Sequence, residues 1–361
     1  MNGATWCAVP ARDGSPAESV ALTPREALER IAYLLERGRE ANPKVRAFRR
    51  AAAVLAETDP EQVATLARTG RLRSLAGIGE STEGVILESL RGEVPSYLAR
   101  LEAEVRAEQS PEALALLDAL QGDCHSHSDW SDGGSPIEDM ARAAMALGHR
   151  YWALTDHSPR LTIAHGLDAD RLKAQLEVVA ELNQRLGAEA DFRILTGIEV
   201  DILEDGGLDQ DTGLLEELDV VVASVHSKLR MEAAPMTRRM IKAVESPHVD
   251  ILGHCTGRIV VGRGRPESTF DSAAVFAACA TSGTAVEVNS RPERLDPPMR
   301  LLEEALDSGC LLSIDTDAHA PGQLEWQING AERVARTGVG AERIINTWDR
   351  GRLLSWLSSR S

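Results

Sequence analysis

Residues 151–200 read YWALTDHSPRLTIAHGLDADRLKAQLEVVAELNQRLGAEADFRILTGIEV, and this stretch decides the fold. Tyr151–Asp156 is a short apolar run that stops at His157. Asp170–Leu186 then repeats its apolar residues at helical spacing. Phe192–Val200 is a second β-branched run, with Glu199 at its end. Strand, helix and strand at these lengths make a βαβ unit, which needs a parallel sheet.

The same texture continues on both sides. Gly122–His127, Val220–Val225, Val249–Gly253, Ala285–Val288 and Leu311–Ile314 read as further strands. Between them Ile137–Leu147, Thr237–Val244, Ser272–Thr281 and Met299–Ser308 read as helices. Alternating units of this kind predict an α/β fold, with the size and strand number of a small barrel.

Upstream the pattern differs. Residues 22–107 read as all-helical, and nothing in them alternates with period two. Thr23, Pro24 and Glu26 form a helix-start signature ahead of Leu28, Ile31, Leu34 and Leu35. Further helices are expected from about Pro43 to Ala56, Pro60 to Ala67 and Ser81 to Leu90, with a glycine turn at Leu75-Ala76-Gly77-Ile78-Gly79. The expected organisation is a flexible tail over 1–20, an all-α domain over 21–108, a linker over 109–120 and the α/β domain over 121–361.

Composition is that of a globular protein, with 43% apolar and 26% charged residues among 361. No apolar run is long enough for a membrane span, and the first 20 residues lack the apolar segment of a signal peptide. Five scattered cysteines without a C-x-x-C pair suit a reducing cytoplasm. The net charge is −17, unevenly spread. Residues 21–110 hold 14 basic and 14 acidic residues, whereas residues 111–361 hold 24 and 40. That excess is either a uniformly acidic surface or, in part, charge that serves bound cations.

The nine histidines favour cations. His125 and His127 end the first strand, His157 the second, His226 the fourth and His254 the fifth, while His319 closes Leu311–Asp317. Glu199 and Asp317 occupy matching places, and Asp132 follows in a Ser-Asp-Gly-Gly turn. Strand ends converge on one rim of a barrel. Residues two apart on a strand share a face, as His125 and His127 do, and Asp317 and His319. Imidazoles mixed with carboxylates hold divalent Zn, Mn or Fe. His149 and His248 precede strands and read as structural, and His165, in a loop, reads either as a surface residue or as a substrate contact.

These motifs resemble a known family. Asp123-Cys124-His125-Ser126-His127 with Ser131-Asp132-Gly133, then Thr155-Asp156-His157, Gly197-Ile198-Glu199, Ser224-Val225-His226-Ser227, Gly253-His254 and Thr316-Asp317-Ala318-His319, are similar in order to those of the PHP (polymerase and histidinol phosphatase) domain. The resemblance covers about residues 120–350, and is strongest to the PHP domain carried by bacterial family X DNA polymerases through GHCTGR at 253–258, EVNSRPERLD at 287–296 and Asn346-Thr347. It implies a distorted (β/α)7 barrel with three divalent metal ions. His125, His127, Glu199 and Asp317 would hold the first; Glu199 as a bridge, His226 and His254 the second; Asp132, His157 and His319 the third.

The N-terminal helices resemble the small domain that begins family X polymerases, and the turn at Gly77 and Gly79 its helix-hairpin-helix, an element that offers free N–H groups to DNA phosphate. Nine basic residues against four acids over 37–73 read either as a duplex-facing stripe or as a solvated helix face. Only about 15 residues separate the two parts, leaving no room for a polymerase palm, so nucleotide addition is not expected. No lysine follows the hairpin, so neither is lyase chemistry.

The resemblance implies metal-assisted phosphoester hydrolysis. Lys228, one of only four lysines, with Arg258 and Arg291, are candidates to meet developing phosphate charge beside Glu199. Asp123 and Asp156 are expected to orient ligand imidazoles, and Cys124 and Cys255 to point into the barrel wall. Three activities follow: hydrolysis at DNA ends in DNA repair, hydrolysis of a small phosphate ester such as histidinol phosphate or a nucleotide, or an inert scaffold. The full ligand set disfavours the last.

Overall fold

The computed structural model describes residues 22–37, 40, 42–106 and 109–359. The tail expected over 1–20 lies outside them. The chain divides into two compact units, one up to Gln109 and one from Ser110.

The first unit holds five helices: α1 (Pro24–Arg37), α2 (Asn42–Glu57), α3 (Pro60–Arg68), α4 (Glu80–Leu90) and α5 (Ser96–Arg106). Among its described residues there is no strand. The start signature of α1 works as a reciprocal cap, Thr23 N and Oγ1 each donating to Glu26 Oε2 at 2.8 Å while Glu26 N donates to Thr23 Oγ1 at 3.3 Å. Leu28, Ile31 and Leu35 of α1 are fully buried against Phe48 and Ala51 of α2 and Ile86 of α4.

The second unit begins with a helix where a linker was expected. Residues 109–120 contain α6 (Pro111–Ala119), capped by Ser110 Oγ, which accepts from Ala113 N at 3.2 Å. Ser110 Oγ in turn donates to Glu332 Oε2 at 3.1 Å, and Ala113 packs on Ile328 and Ala331. Ser before Pro is the same start signal as Thr23-Pro24, and an apolar partner face turns this segment into part of the barrel unit.

The sheet then follows in chain order: β1 (Gly122–Asp123), α7 (Ile137–Ala146), β2 (Tyr151–Leu154), α8 (Ala169–Glu189), β3 (Arg193–Asp201), the single turn α9 (Thr212–Leu215), β4 (Val220–Ser224), α10 (Ala233–Val244), β5 (Ile251–Leu252), α11 (Ser272–Ser282), β6 (Ala285–Asn289), α12 (Met299–Asp307), β7 (Leu312–Asp315), α13 (Gln327–Ala335) and α14 (Arg350–Ser358). All seven strands pair in sequence order and all are parallel, as in the (β/α)7 barrel expected. Registers such as Trp152 with Ile194 and Glu199 with Val222 bring the strand ends to a common level. The seam between β7 and β1 closes just beyond the strands, Asp317 N donating to His125 O at 2.9 Å and His127 N to Ala318 O at 2.8 Å.

Side chains alternate along each strand. Trp152, Leu154 and Ile194 pack with α7 and α8, whereas Tyr151, Ala153 and Leu195 join Val222, Ile251 and the buried Cys124. Trp348, Leu353 and Leu357 complete that second cluster, and Tyr151 Oη donates to Asn346 O at 3.1 Å. Among the described residues no helix is long and apolar enough to cross a membrane.

Candidate metal centre

At the opposite end of the strands the interior turns polar. The two β1 histidines follow a strand of only two residues, yet their chain stays extended and pairs with the continuation of β7 through Ser126 and Ala318. His125 and His127 flank Ser126 and share a side, whereas Asp317, on a left-handed backbone at φ 52°, and His319 are placed by that turn. Asp132 arrives on a tight turn in which Gly133 N donates to Ser128 O at 2.9 Å, and a Cβ on Gly133 would lie 2.5 Å from that carbonyl. Only glycine fits there.

Glu199, on β3, sits at the middle. Its carboxylate oxygens lie 2.7 Å from His157 Nδ1, 2.9 Å from His254 Nε2, 3.2 Å from His226 Nε2, 3.4 Å from His125 Nε2 and 3.7 Å from His127 Nε2. On one flank Asp317 Oδ1 is 3.4 Å from His127 Nε2. On the other, Asp132 Oδ1 is 3.4 Å from His157 Nε2 and 3.3 Å from His319 Nε2. Three groups have donor atoms close enough to share an ion: His127, Asp132, His157 and His319; His125, His127 and Glu199; and His157, Glu199 and His226.

The chemistry of this set fits divalent cations. Seven ring nitrogens of His125, His127, His157, His226 and His254, together with Glu199 Oε2, are buried without a well-directed hydrogen bond. Four of these nitrogens, Nε2 of His125, His127 and His226 and Nδ1 of His157, face Glu199. A buried polar atom left unpaired costs about 1–3 kcal/mol, so this group calls for a partner that accepts lone pairs. Burial opposes ionisation of Glu199, but the imidazoles of His226, His125 and His157 outweigh it and hold its pKa well below the usual range. Burial likewise depresses His254 to about 3, with Arg294 adding to it, which leaves its ring neutral as a ligand must be. Burial also opposes protonation of His226 and His125, but Glu199 raises His226 to about 9, and Glu287 with Glu199 raises His125. These two rings therefore give up their protons to a cation that they hold.

Comparison with known proteins agrees with this geometry. The PHP domain family matches residues 123–291. Over 250 residues the chain is 30% identical to a protein of Aeromonas hydrophila named as a probable phosphatase, covering 66% of this chain and 94% of that one. The chain belongs to the PHP domain family. It is also 36% identical over 253 residues to the DNA polymerase/3'-5' exonuclease PolX of Bacillus subtilis, an alignment spanning 70% of this chain but only 44% of the polymerase. A histidinol phosphate phosphatase from Lactococcus lactis, solved with zinc, histidinol and phosphate, superposes with a TM-score of 0.43 at 17% identity over 61% of this chain and 94% of that one.

The surroundings of this PHP centre differ from expectation in four places. Asp123 does not touch an imidazole: it accepts from His125 N at 3.1 Å and from Thr316 Oγ1, stitching the seam. Asp156 instead gathers Ser128, Ser131 and Gln175, at 2.5–2.8 Å, beneath the Asp132 turn. Arg258 is engaged elsewhere: it donates to the carbonyls of Arg294, at 3.0 Å, and Leu295, and pairs with Glu267 at 3.6 Å. Lys228 is exposed, on a left-handed backbone at φ 54°, and among the described residues pairs with no carboxylate. Arg291 does reach the centre, 3.3 Å from Asp317 Oδ1 and 3.0 Å from His319 Nδ1.

The carboxylates that do meet ligand rings are Glu287, 2.6 Å from His125 Nδ1, and Asp201, 3.5 Å from His226 Nδ1. Burial pushes Glu287 up to about 7 against the pull of His125. Asn289 Nδ2 donates to Glu287 Oε2 at 3.3 Å and Asp317 Oδ2 at 3.2 Å, and Arg294 Nε to Asp317 Oδ2 at 3.0 Å. Burial penalises the Asp317 carboxylate, yet Arg291 and Arg294 hold its pKa well below the usual range. A signal for Glu287 and Asn289 was available: they are polar residues two apart in the otherwise apolar run AVEVN, on the one strand that supplies no ligand. Arg294 lies in an irregular loop and had none.

In the helical unit Gly77 adopts φ 108° and Gly79 serves as the N-cap of α4, its N–H donating to Thr82 Oγ1 at 2.8 Å. Lys44, Phe48, Ser81 and Arg100 join the two glycines around a cleft of about 370 Å³, and the acidic Glu80 stands among them.

Proposed function

We propose that this PHP-domain protein hydrolyses phosphate esters at the ends of DNA strands, as in 3'-5' exonuclease or 3'-end processing steps of repair, using three divalent cations. His125, His127, Glu199 and Asp317 would hold the first, Glu199 with His226 and His254 the second, and Asp132, His157 and His319 the third; Zn, Mn and Fe all suit this donor set. The observation that carries the reading is the four buried ring nitrogens, on His125, His127, His157 and His226, that face one carboxylate without a well-directed hydrogen bond. When bound, such cations lower the pKa of water and neutralise phosphoryl oxygens.

The chain's own residues then have distinct tasks. Glu199 joins the two inner groups. Glu287 fixes the His125 ring, so that its Nε2 faces inward. Arg291, partly exposed beside Asp317 and His319, is the cation able to meet a phosphoryl oxygen at the mouth. Gly77 and Gly79 would offer a helix N-terminus to a DNA phosphate, flanked by Lys44 and Arg100, in the manner of a helix-hairpin-helix.

A second reading is a small-molecule phosphatase, and it is supported by the extent to which the chain covers the Aeromonas hydrophila relative. Metal-loaded protein assayed in parallel on a 3'-labelled DNA strand, a 3'-phosphate end, histidinol phosphate and nucleoside monophosphates separates the two. Release of nucleotides or phosphate from DNA ends is expected. Inert DNA ends alongside turnover of a small ester would replace the first reading with the second.

A further inference from the structure

Charge on the rim of the centre is split in half. The loops that follow β4, β5 and β6, residues 225–232, 253–271 and 290–298, carry seven Lys and Arg against five Asp and Glu. Those that follow β1, β2, β3 and β7, residues 124–136, 155–168, 202–211 and 316–326, carry one Arg against ten acids. An acidic barrel thus places its cations on one contiguous arc beside the metal ligands.

That arc is tied together. Ser268 Oγ donates to Leu229 O at 2.9 Å, and Val260 N to Glu293 O at 2.7 Å, linking each loop to the next. Gly257, at φ 61°, lets the second loop approach the first so closely that a Cβ there would meet Leu229 Cδ2 at 2.7 Å. Within the second loop Ile259 and Arg265 exchange backbone hydrogen bonds at 3.0 and 2.8 Å, making a short tongue with Arg263 at its tip between Gly262 and Gly264. Lys228 keeps its left-handed backbone with Met231 N donating to its carbonyl at 2.8 Å.

Four of the seven cations are engaged inside this shelf. Arg258 and Arg265 donate to carbonyls, and Arg291 and Arg294 to Asp317. Lys228, Arg230 and Arg263 are exposed and, among the described residues, enter no ion pair or side-chain hydrogen bond. A substrate with a single phosphate needs only the centre and Arg291. Free cations fixed beyond them act on a substrate whose charge continues past the scissile bond, while the seven acids opposite that are neither proposed metal ligands nor the buried Asp156 repel it from the other side.

We propose that the β4–β6 shelf is the track for the sugar-phosphate backbone of a nucleic acid strand whose end enters the centre, with Lys228, Arg230 and Arg263 facing its upstream phosphates. This rests on the reading above that the centre acts on DNA ends, and it makes these three residues determinants of polymer over monomer.

The test compares full-length, metal-loaded wild type with an Arg230→Gln/Arg263→Gln double variant and with Arg160→Gln, an exposed arginine on the acidic half. A fluorescent single-stranded DNA oligonucleotide is titrated by anisotropy over a range of salt, and kcat/KM is measured for that oligonucleotide and for the nitrophenyl ester of thymidine monophosphate. The slope of log affinity against log salt is expected to fall by about 1.4 in the double variant, about 0.7 for each lost phosphate contact. The ratio of oligonucleotide to nitrophenyl-ester kcat/KM is expected to fall about tenfold or more, with neither change in Arg160→Gln. An unchanged slope, an equal loss on both substrates, or an equal loss in Arg160→Gln overturns the track. Oligonucleotide bound through the two arginines yet never cleaved upholds the track and overturns the hydrolysis of DNA ends. Oligonucleotide neither bound nor cleaved by wild type overturns both.

Discussion

The turn at Gly77–Gly79 and the rim of the barrel both offer groups suited to phosphate, and they are made in opposite ways. The turn is local: a positive φ at Gly77, a glycine N-cap and a Thr82 hydroxyl three residues on are all set by neighbouring sequence. The rim is assembled from six of seven strands, and its centre joins residues as far apart as His125 and Asp317. The turn ties its Gly79 N–H to the buried Thr82 hydroxyl but exposes Gly79, Glu80 and Ser81 to the solvent, where water competes for their polar groups. The rim buries imidazoles and a carboxylate that solvent does not reach. The difference teaches where substitution should hurt: chemistry at the rim depends on single buried atoms, whereas the turn depends on backbone freedom.

The most severe break of that contrast is Glu199→Gln. Five imidazoles face this carboxylate. An amide keeps the shape but supplies no negative charge and turns a donor toward the rings. Breaking a buried charged pair costs about 3–5 kcal/mol, so turnover is expected to fall about 10³-fold and metal content by elemental analysis to drop below that of wild type. Full activity with full metal content would remove Glu199 from the centre.

Much of the barrel was legible because its signals are repeated. Seven runs fall on the seven strands, six of them ending within two residues of the strand end and the first running four past it. Six carry His or carboxylate at or just after the end. What could not be read depends on the third dimension. Arg258 and Arg291 look alike in sequence, on successive loops, yet one closes on backbone carbonyls and the other on Asp317. Their fates are decided by the direction of each loop, which periodicity does not encode. The linker over 109–120 failed for a related reason: Pro111–Ala119 is short, and its value as a helix appears only with the Ile328 and Ala331 face against it.

Glu287→Gln sharpens the comparison at intermediate cost. Glu287 coordinates no metal in the proposed scheme; it accepts from the outer nitrogen of the His125 ring at 2.6 Å and from His254 N. Losing such a partner lowers metal affinity or activity by about 10–100-fold. Competition with a chelator should show this weakening, with kcat largely recovered when excess metal is supplied. A loss that excess metal does not repair would give Glu287 a role in the chemistry itself.

The smallest expected effect separates the two glycines of the turn. Gly77 sits at φ 108°, and a Cβ there would lie 3.0 Å from Arg50 Cγ and 3.3 Å from Val54 Cγ2. Gly79 is extended, at φ −109° and ψ −179°, with open space around it. Gly77→Ala should therefore destabilise the helical unit by about 1–2 kcal/mol from the left-handed backbone alone, whereas Gly79→Ala should cost only about 0.5 kcal/mol as a poorer N-cap. Hydrogen exchange of the α4 amides in the full chain reads this directly: faster exchange in Gly77→Ala, little change in Gly79→Ala. The reverse order would mean that the turn is held by what its N-cap binds and not by its backbone, and the contrast with the rim would disappear.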